Sequence, residues 1–328
     1  MKWRVSVSLC GLIAAFIFVG FAPQATAAEY PEPGKVFDFN CHSKPGSGMD
    51  TFQRMVARFL NDEGIVKAKI SVMNRQGGGS AVAINYTLAQ KGDPYVLQQW
   101  TTSNIMAILR GTTTAKSVMD LTLIASLVED PNLCVVRPDS KYKTMKDLIE
   151  DARKNPDKVK GSVGSIGGTE HIIMNRIEKA TGVKFNITSF GGTSYVPVLG
   201  GHTDFTFSTI LDVQESMKAG KLKYLANAGE VRAEAAPDIP TMKELGINTS
   251  MRQLRGFWGP PGMPDYAVQY WGQAFAKLMK VKGFQDFLKK INMDPVFIGP
   301  EELKGYMPGY VKGFEADVKD LDAFVEKK

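Results

Sequence analysis

Three stretches of the chain join glycines, small residues and a hydroxyl to the start of a helix: residues 44–50, 165–170 and 190–194. They read Lys44-Pro45-Gly46-Ser47-Gly48-Met49-Asp50, Ser165-Ile166-Gly167-Gly168-Thr169-Glu170 and Phe190-Gly191-Gly192-Thr193-Ser194. The chemistry this composition supports is anion binding. The first turn of a helix has N–H groups without intrahelical partners, and the aligned peptide dipoles add about half a positive charge there. Glycine lets the backbone approach closely and a hydroxyl adds a donor, which makes a seat for a carboxylate or phosphate. Glycine-rich turns also arise for conformational reasons alone, but three of like composition favour binding. No Gly-Lys-Ser/Thr closes any of them, and none is a G-x-G-x-x-G turn after the first strand, so a nucleotide is disfavoured.

Other reactive side chains are few. Asp50, at a helix start, acts as a cap, orients a water, or accepts from a ligand amine or hydroxyl. His171 faces either the ligand or the core of its lobe. His42 and His202 stand alone, no Cys/His/Asp/Glu cluster has metal-ligand spacing, and no metal or other cofactor is expected. Ser165 and Ser208 lack a nucleophile-elbow context, and no Ser–His–Asp arrangement suggests itself; the chain reads as a binder, not an enzyme. Trp100, Phe190 and Trp258 either line an apolar pocket beside the loops or belong to the core. Cys41 and Cys134 sit in strand-like apolar runs, which favours buried free thiols over a disulfide.

The elements that must position these loops alternate strand with helix, which implies an α/β fold with mostly parallel sheets. A strand at 36–42 feeds the first loop, and the helix opening at Asp50 carries Phe52, Met55, Val56, Phe59 and Leu60 on one stripe. A strand at 68–73 leads through Asn74 to Gly79 into a helix from Ser80, and a strand at 95–100 ends at Thr101-Thr102-Ser103-Asn104. Further strands are expected near 122–128, 133–137, 161–165, 185–189, 204–208 and 221–226. Helices are expected at 144–155, from Glu170, and at 212–219, 264–281, 283–291 and 309–326. Ligands of open α/β sheets lie beyond the carboxyl ends of the strands, where such loops converge. The polar step Glu129-Asp130-Pro131-Asn132 is the expected first crossing between two lobes, with a return through Arg255 to Gly262. Lobe 1 is then residues 29–130 with 253–328, and lobe 2 is residues 131–252.

The first 28 residues read as a cleavable signal peptide: Lys2 and Arg4, an apolar run from Val5 to Ala22, then Ala25-Thr26-Ala27. About 300 residues remain, enough for two domains. No later run reaches the ~20 apolar residues that span a bilayer. Loss of the leader's two cations lowers the formal charge from +6 to +4, which suits an anionic ligand. That excess is too small and dispersed for nucleic acid.

Over essentially the whole mature chain these loops resemble the substrate-binding receptors of tripartite tricarboxylate transporters, the Bug receptor family. The family's P-G-G-G-T-D helix start is similar to Pro45 through Asp50, and its V-E-N-R-P-G-A-G-G segment to Val72 through Ser80. Its G-S-x-x-H-L start resembles Gly167 through Ile172; its V-P-Y-K-G turn and L-L-G-G-x-x-D segment resemble Thr188–Thr193 and Val198–Asp204. Ala219 to Leu222, Pro237 to Thr241 and Phe257 to Gly259 add further landmarks. The resemblance implies a two-lobed Venus flytrap of the type II periplasmic-binding-protein kind, located in the periplasm, monomeric, and closing on a small carboxylate for a membrane permease. A sensor that signals to a membrane kinase is the alternative output. Carried over, the binding loops are Ser47, Gly48, Met49 and Asp50 opposite Gly167, Gly168 and Thr169, with His171 among the binding residues. Thr102, Ser103, Gly192, Thr193 and Ser194 complete the lining. Ser47, Met49, Phe190, Lys44 and Gln98-Gln99-Trp100 depart from the family pattern, so ligand identity does not transfer.

Overall fold

A computed structural model describes residues 30–326 apart from Ser165 and Gly192; the expected signal peptide lies outside the described residues. In chain order the strands are β1 (Val36–Cys41), β2 (Lys69–Asn74), β3 (Val96–Trp100), β4 (Thr122–Glu129), β5 (Asn132–Val136), β6 (Lys160–Val163), β7 (Asn186–Ser189), β8 (Thr206–Thr209), β9 (Lys223–Asn227), β10 (Leu254–Gly259) and β11 (Asp294–Ile298). Helices alternate with them. They are α1 (Gly48–Asp62), α2 (Ala81–Ala89), α3 (Thr102–Leu109), α4 (Met145–Lys154), α5 (Thr169–Thr181), α6 (Tyr195–Leu199), α7 (Ile210–Lys218), α8 (Asp265–Leu278), α9 (Lys282–Lys290) and α10 (Pro300–Glu326).

The fold is α/β and two-lobed. One lobe is built on a six-stranded sheet of order β11-β4-β10-β3-β1-β2. The other holds the sheet β8-β5-β9 and the pair β6-β7, with an isolated bridge from Gly161 to Phe205 beside β8. Phe37, Phe39, Phe52, Val56, Trp271 and Phe275 pack the large sheet against α1 and α8. The apolar stripe of α1 thus buries Phe52, Val56 and Leu60, as its spacing predicts.

Parallel pairing is the minority, contrary to expectation. Only β1–β2, β1–β3 and β6–β7 run parallel among the described strands, while β10 opposes β3 and β4, β11 opposes β4, and β5 opposes β8 and β9. The reason is the double crossing of the chain. Strand β4 passes through Asp130-Pro131 straight into β5 of the other lobe, and β10 returns antiparallel into the middle of the large sheet. The two crossings are joined: the Asp130 amide donates to the Gln253 carbonyl at 2.9 Å, and the Asn132 side chain donates to the Asp130 carbonyl and to Gln253 Oε1, each at 3.0 Å.

Several elements depart from the sequence reading, β10 and α6 among them. The helix α3 starts where only a strand end was expected, because Asn104 Oδ1 accepts from the Thr101 amide at 2.9 Å and closes a capping box. Strand β11 alternates in burial but not in residue type, since Val296, Phe297 and Ile298 are consecutive apolar residues, so its sequence carries no strand period. Helix α10 begins at Pro300, not near 309, and runs through Pro308. Packing overrides that lost hydrogen bond, with Tyr306 and Tyr310 stacked at 5.6 Å. Farther along, Arg176 of α5 grips Asp317 at 2.6 Å and the Ser250 carbonyl at 2.7 Å, so α10 ties the second lobe to the return crossing.

Cys41 and Cys134 are buried and free. Trp100 and Trp258 are fully buried and stacked at 6.0 Å, which settles them as core. Gly256 pairs with Trp100 of β3, two residues before Trp258 on β10. A Cβ there would overlap the Ala125 carbonyl oxygen and come within 2.8 Å of the Trp100 ring. Gly256→Ala is therefore expected to destabilise the chain by about 3 kcal/mol through overpacking, read as a lower urea midpoint with the slope unchanged.

Candidate ligand-binding cleft

The lobes face each other across a cleft that opens from the crossings. Two adjoining cavities of about 550 Å³ each fill it, and they share His42, Ser103 and Gly168. The first is lined by the arch Gly77-Gly78-Gly79-Ser80, by Arg110 and Met106, and by Ile166 to Gly168 from the opposite lobe. The second holds Met49, Gly168, Thr169, Glu170, Asp212 and Arg255.

The first expected loop organises itself more than it reaches the cleft. Ser47 caps α1, its Oγ accepting from the Asp50 amide at 3.3 Å. The Asp50 carboxylate accepts from the Gly46 amide at 2.9 Å, from Arg54 Nε at 2.9 Å and from Asn74 Nδ2 at 2.8 Å. Burial opposes ionisation of Asp50, but these hydrogen bonds outweigh it and hold the carboxyl below its usual range. Asp50 thus caps its helix and ties its loop, and it lies outside the lining of both cavities. Met49 does line the cavity, with its sulfur against the Arg255 guanidinium. Gly48 faces the other lobe at the rim, where a Cβ would lie 3.8 Å from the Leu211 side chain.

The second loop delivers Gly167, Gly168 and Thr169 to the cleft walls. His171 turns inward: it is 2 % exposed, and its Nδ1 accepts from the Gly167 amide at 3.1 Å. It shapes the loop from behind. Glu170, outside the expected set, lines the second cavity and accepts from the Ser194 hydroxyl at 3.2 Å. Burial raises its carboxyl above the usual range, against hydrogen bonds from its own amide and Ser194, and the nearby charge of Asp212 adds to the rise. Asp212 is raised too, because the surrounding protein crowds it, although the residue is exposed.

The remaining expected residues divide. Ser103 lines both cavities, but Thr102 is buried and meets the Tyr310 hydroxyl at 3.3 Å. Ser194 is also buried, bonded to Glu170 and to the Phe207 carbonyl at 3.3 Å. Thr193 is exposed and outside the cavity lining, as is Phe190; Gly192 lies outside the described residues. Thr102, His171, Ser194 and Asp50 share one physical reason. Their polar atoms complete helix starts and loops, which leaves them facing protein.

Sequence reasoning missed the Gly77–Ser80 arch, although its composition met the same criterion as the other loops. Gly77, Gly78 and Gly79 have φ of 131°, 55° and 60°, a run of positive values that side chains other than glycine's disfavour. It also missed Arg255 and Asp130, 125 residues apart in sequence and paired in the buried floor. No local pattern signals such a pair. His42 beside them has a pKa lowered to about 4, first by burial and then by the Arg255 charge, against a hydrogen bond to the Gln99 backbone. Among the described residues no group of three or more His, Cys, Asp or Glu is placed to hold a metal ion, and no helix is long and apolar enough to cross a membrane.

Comparison with known proteins follows the same lines. The sequence model described as tripartite tricarboxylate transporter family receptor matches residues 55–312. A UPF0065 protein of Cupriavidus necator is 28% identical, covering 98% of both chains. Among solved structures, a TctC solute-binding protein from Polaromonas is similar at 25% identity and a TM-score of 0.76, over 88% of this chain and 99% of that one. Two Rhodopseudomonas palustris proteins share the fold, each over 88% of this chain. One, with adipate, has 19% identity, a TM-score of 0.75 and 97% of its length covered. The other, with bound malate, has 18% identity, a TM-score of 0.70 and 99% of its length covered.

The displaced pKa of His42 has a measurable consequence. Its folded value of about 4 lies below the unfolded 6.5, so the unfolded chain takes up the proton first as pH falls. Stability tied to neutral His42 is fully present above pH 6.5 and is lost between 6.5 and 4. Urea midpoints across that window are expected to fall less steeply in His42→Gln than in the parent. Equal slopes would mean that His42 titrates normally.

Proposed function

The chain belongs to the tripartite tricarboxylate transporter receptor family, and from that premise we propose that it captures a small organic carboxylate in the cleft and delivers it to a membrane permease. The observation that carries this reading is the first cavity. It sets the Gly77–Ser80 arch against Gly167-Gly168 across the cleft and adds Arg110, a guanidinium with no carboxylate partner among the described residues. Helix α3 opens at the same cavity through Ser103, with no acidic residue in its first turn, so its N-terminal field is left for a guest. The adipate and malate of the two R. palustris proteins support a carboxylate ligand.

The lobes, residues 29–130 with 253–328 and residues 131–252, open and close by bending at the joined crossings. Hydrogen bonds to the ligand strengthen as closure removes water. Ser103, Gly167, Gly168 and Thr169 act as direct contacts, and Ser47, Asp50 and His171 hold their loops in shape. The protein works in the periplasm after loss of its signal peptide, as a monomer, and releases its ligand chemically unchanged.

A thermal-shift screen tests the ligand class, since a guest that binds only the folded state raises the melting temperature. Organic acids should raise it. Shifts confined to neutral sugars or amines would contradict the reading. In Gly168→Asp a like charge stands on the wall common to both cavities, at a cost of several kcal/mol. Calorimetry should then show affinity reduced about a hundredfold or more, and unchanged affinity would remove this loop from the site.

A further inference from the structure

Helix α10 is held by both lobes. Its first half packs on β4 and α3, with Leu303 and Met307 fully buried. The Tyr310 hydroxyl then donates to the Arg252 carbonyl at 2.8 Å and accepts from the Leu254 amide at 3.3 Å. Three residues on, the helix meets the other lobe. Arg176 of α5 donates from Nη2 to the Asp317 carboxylate at 2.6 Å and from Nε to both its oxygens at 3.1 Å. Arg176 Nη2 also reaches the Gly313 carbonyl at 2.9 Å, and the guanidinium lies 5.1 Å from the centre of the Phe314 ring. Lys179, one turn farther along α5, pairs with Asp320. The Asp317 side chain is only 4 % exposed, so parting it from Arg176 would leave an uncompensated buried charge. The beginning of α10 is thus fastened to the first lobe and its end to the second.

The stretch between these two anchors is soft. Pro308 has no amide to donate to the Lys304 carbonyl, which opens the helical ladder there. Gly305, Gly309 and Gly313 recur on one face, turn after turn, although glycine is a poor helix former. Nothing inside the chain demands them. None of the three has a positive φ, and a Cβ on any of them would meet no neighbouring element within 4 Å. Their face lines a cavity of about 510 Å³ beside the return crossing, shared with Arg176, Ser250 and Arg252.

Proline and unpacked glycines are the places where helices bend. Here they stand where α10 passes from one lobe to the other, beside space into which it can move. Resting on the opening and closing proposed above, we infer that α10 is a third link between the lobes, with a flexing joint at residues 305–313. The part beyond the joint travels with residues 131–252, and the stiffness of the joint sets how freely the lobes move.

The test is spin-label distance measurement on the purified chain, alone and with adipate or malate. Labels go in pairs on cysteines introduced at three exposed sites, Gln273→Cys on α8, Lys146→Cys on α4 and Lys319→Cys on α10, while buried Cys41 and Cys134 stay unlabelled. The pair at 273 and 146 reports the lobes, by its width in the free chain or its shift with either acid. The pair at 273 and 319 should follow it in width and shift, and the pair at 146 and 319 should stay narrow and fixed. Gly305→Ala, Gly309→Ala and Gly313→Ala combined strengthen the helix and should cut the lobe motion about twofold. Urea melts check folding, and Gly309→Ala alone, moving the width in the same direction, keeps the test open should the triple variant fail to fold. Lobes that move while residue 319 keeps its distance from 273 would overturn the link and leave closure standing. Lobe motion unchanged in the folded alanine variants would overturn the joint. A pair at 273 and 146 that is narrow and unmoved under every condition would overturn both closure and the link.

Discussion

The ion pair of Asp130 and Arg255 sits where the chain crosses twice between the lobes, and the cleft depends on it. Both partners are almost completely buried, Asp130 on the outward crossing and Arg255 on the returning strand β10. Removing one partner of such a pair leaves an uncompensated charge in a low-dielectric place, at a cost of about 3–5 kcal/mol. The pair therefore holds the crossings in one register, together with the Asp130–Gln253 backbone bond. From that register follow the placement of Met49 against the guanidinium, the neutral state of His42, and the shared floor of the two cavities. Arg255 lends no net charge to the cleft, because Asp130 cancels it.

The helix starts facing the cleft behave differently from the general rule that brought attention to them. Asp50 stands in the first turn of α1, Glu170 in that of α5 and Asp212 in that of α7. Each supplies the negative charge that a bound anion would otherwise bring, so these helices spend much of their N-terminal field on their own side chains. The starts without an acid are those of α3 and of the turn that precedes α2. That difference leaves the Gly77–Ser80 arch and the start of α3 without an acid, while Glu170 and Asp212 line the cleft from the second lobe.

Much of the architecture was legible before folding. Strand and helix alternation, the α1 stripe, the first crossing at Glu129–Asn132 and the family landmarks are all local patterns, set by side-chain period and turn chemistry over a few residues. Gly167, Gly168, Thr169 and Met49 reach the cleft from segments that could be picked out by composition, and Ser103 from one that only the family resemblance pointed to. What was not legible has a common cause. The antiparallel return of β10, the run of α10 through Pro308, and the inward turn of Thr102, His171 and Ser194 are decided by neighbours far away in sequence.

The three glycine-rich turns thus carry two kinds of information. Their composition alone determines that the backbone bends sharply into a helix, because glycine and small capping residues permit that conformation wherever they occur. Whether such a turn faces a guest or its own lobe depends on which side chain fills the helix start. Which charges meet across the cleft depends on a crossing that brings residues 125 apart into contact. Local sterics are written in a few adjacent residues, whereas electrostatic complementarity exists only once distant ones share the same buried space.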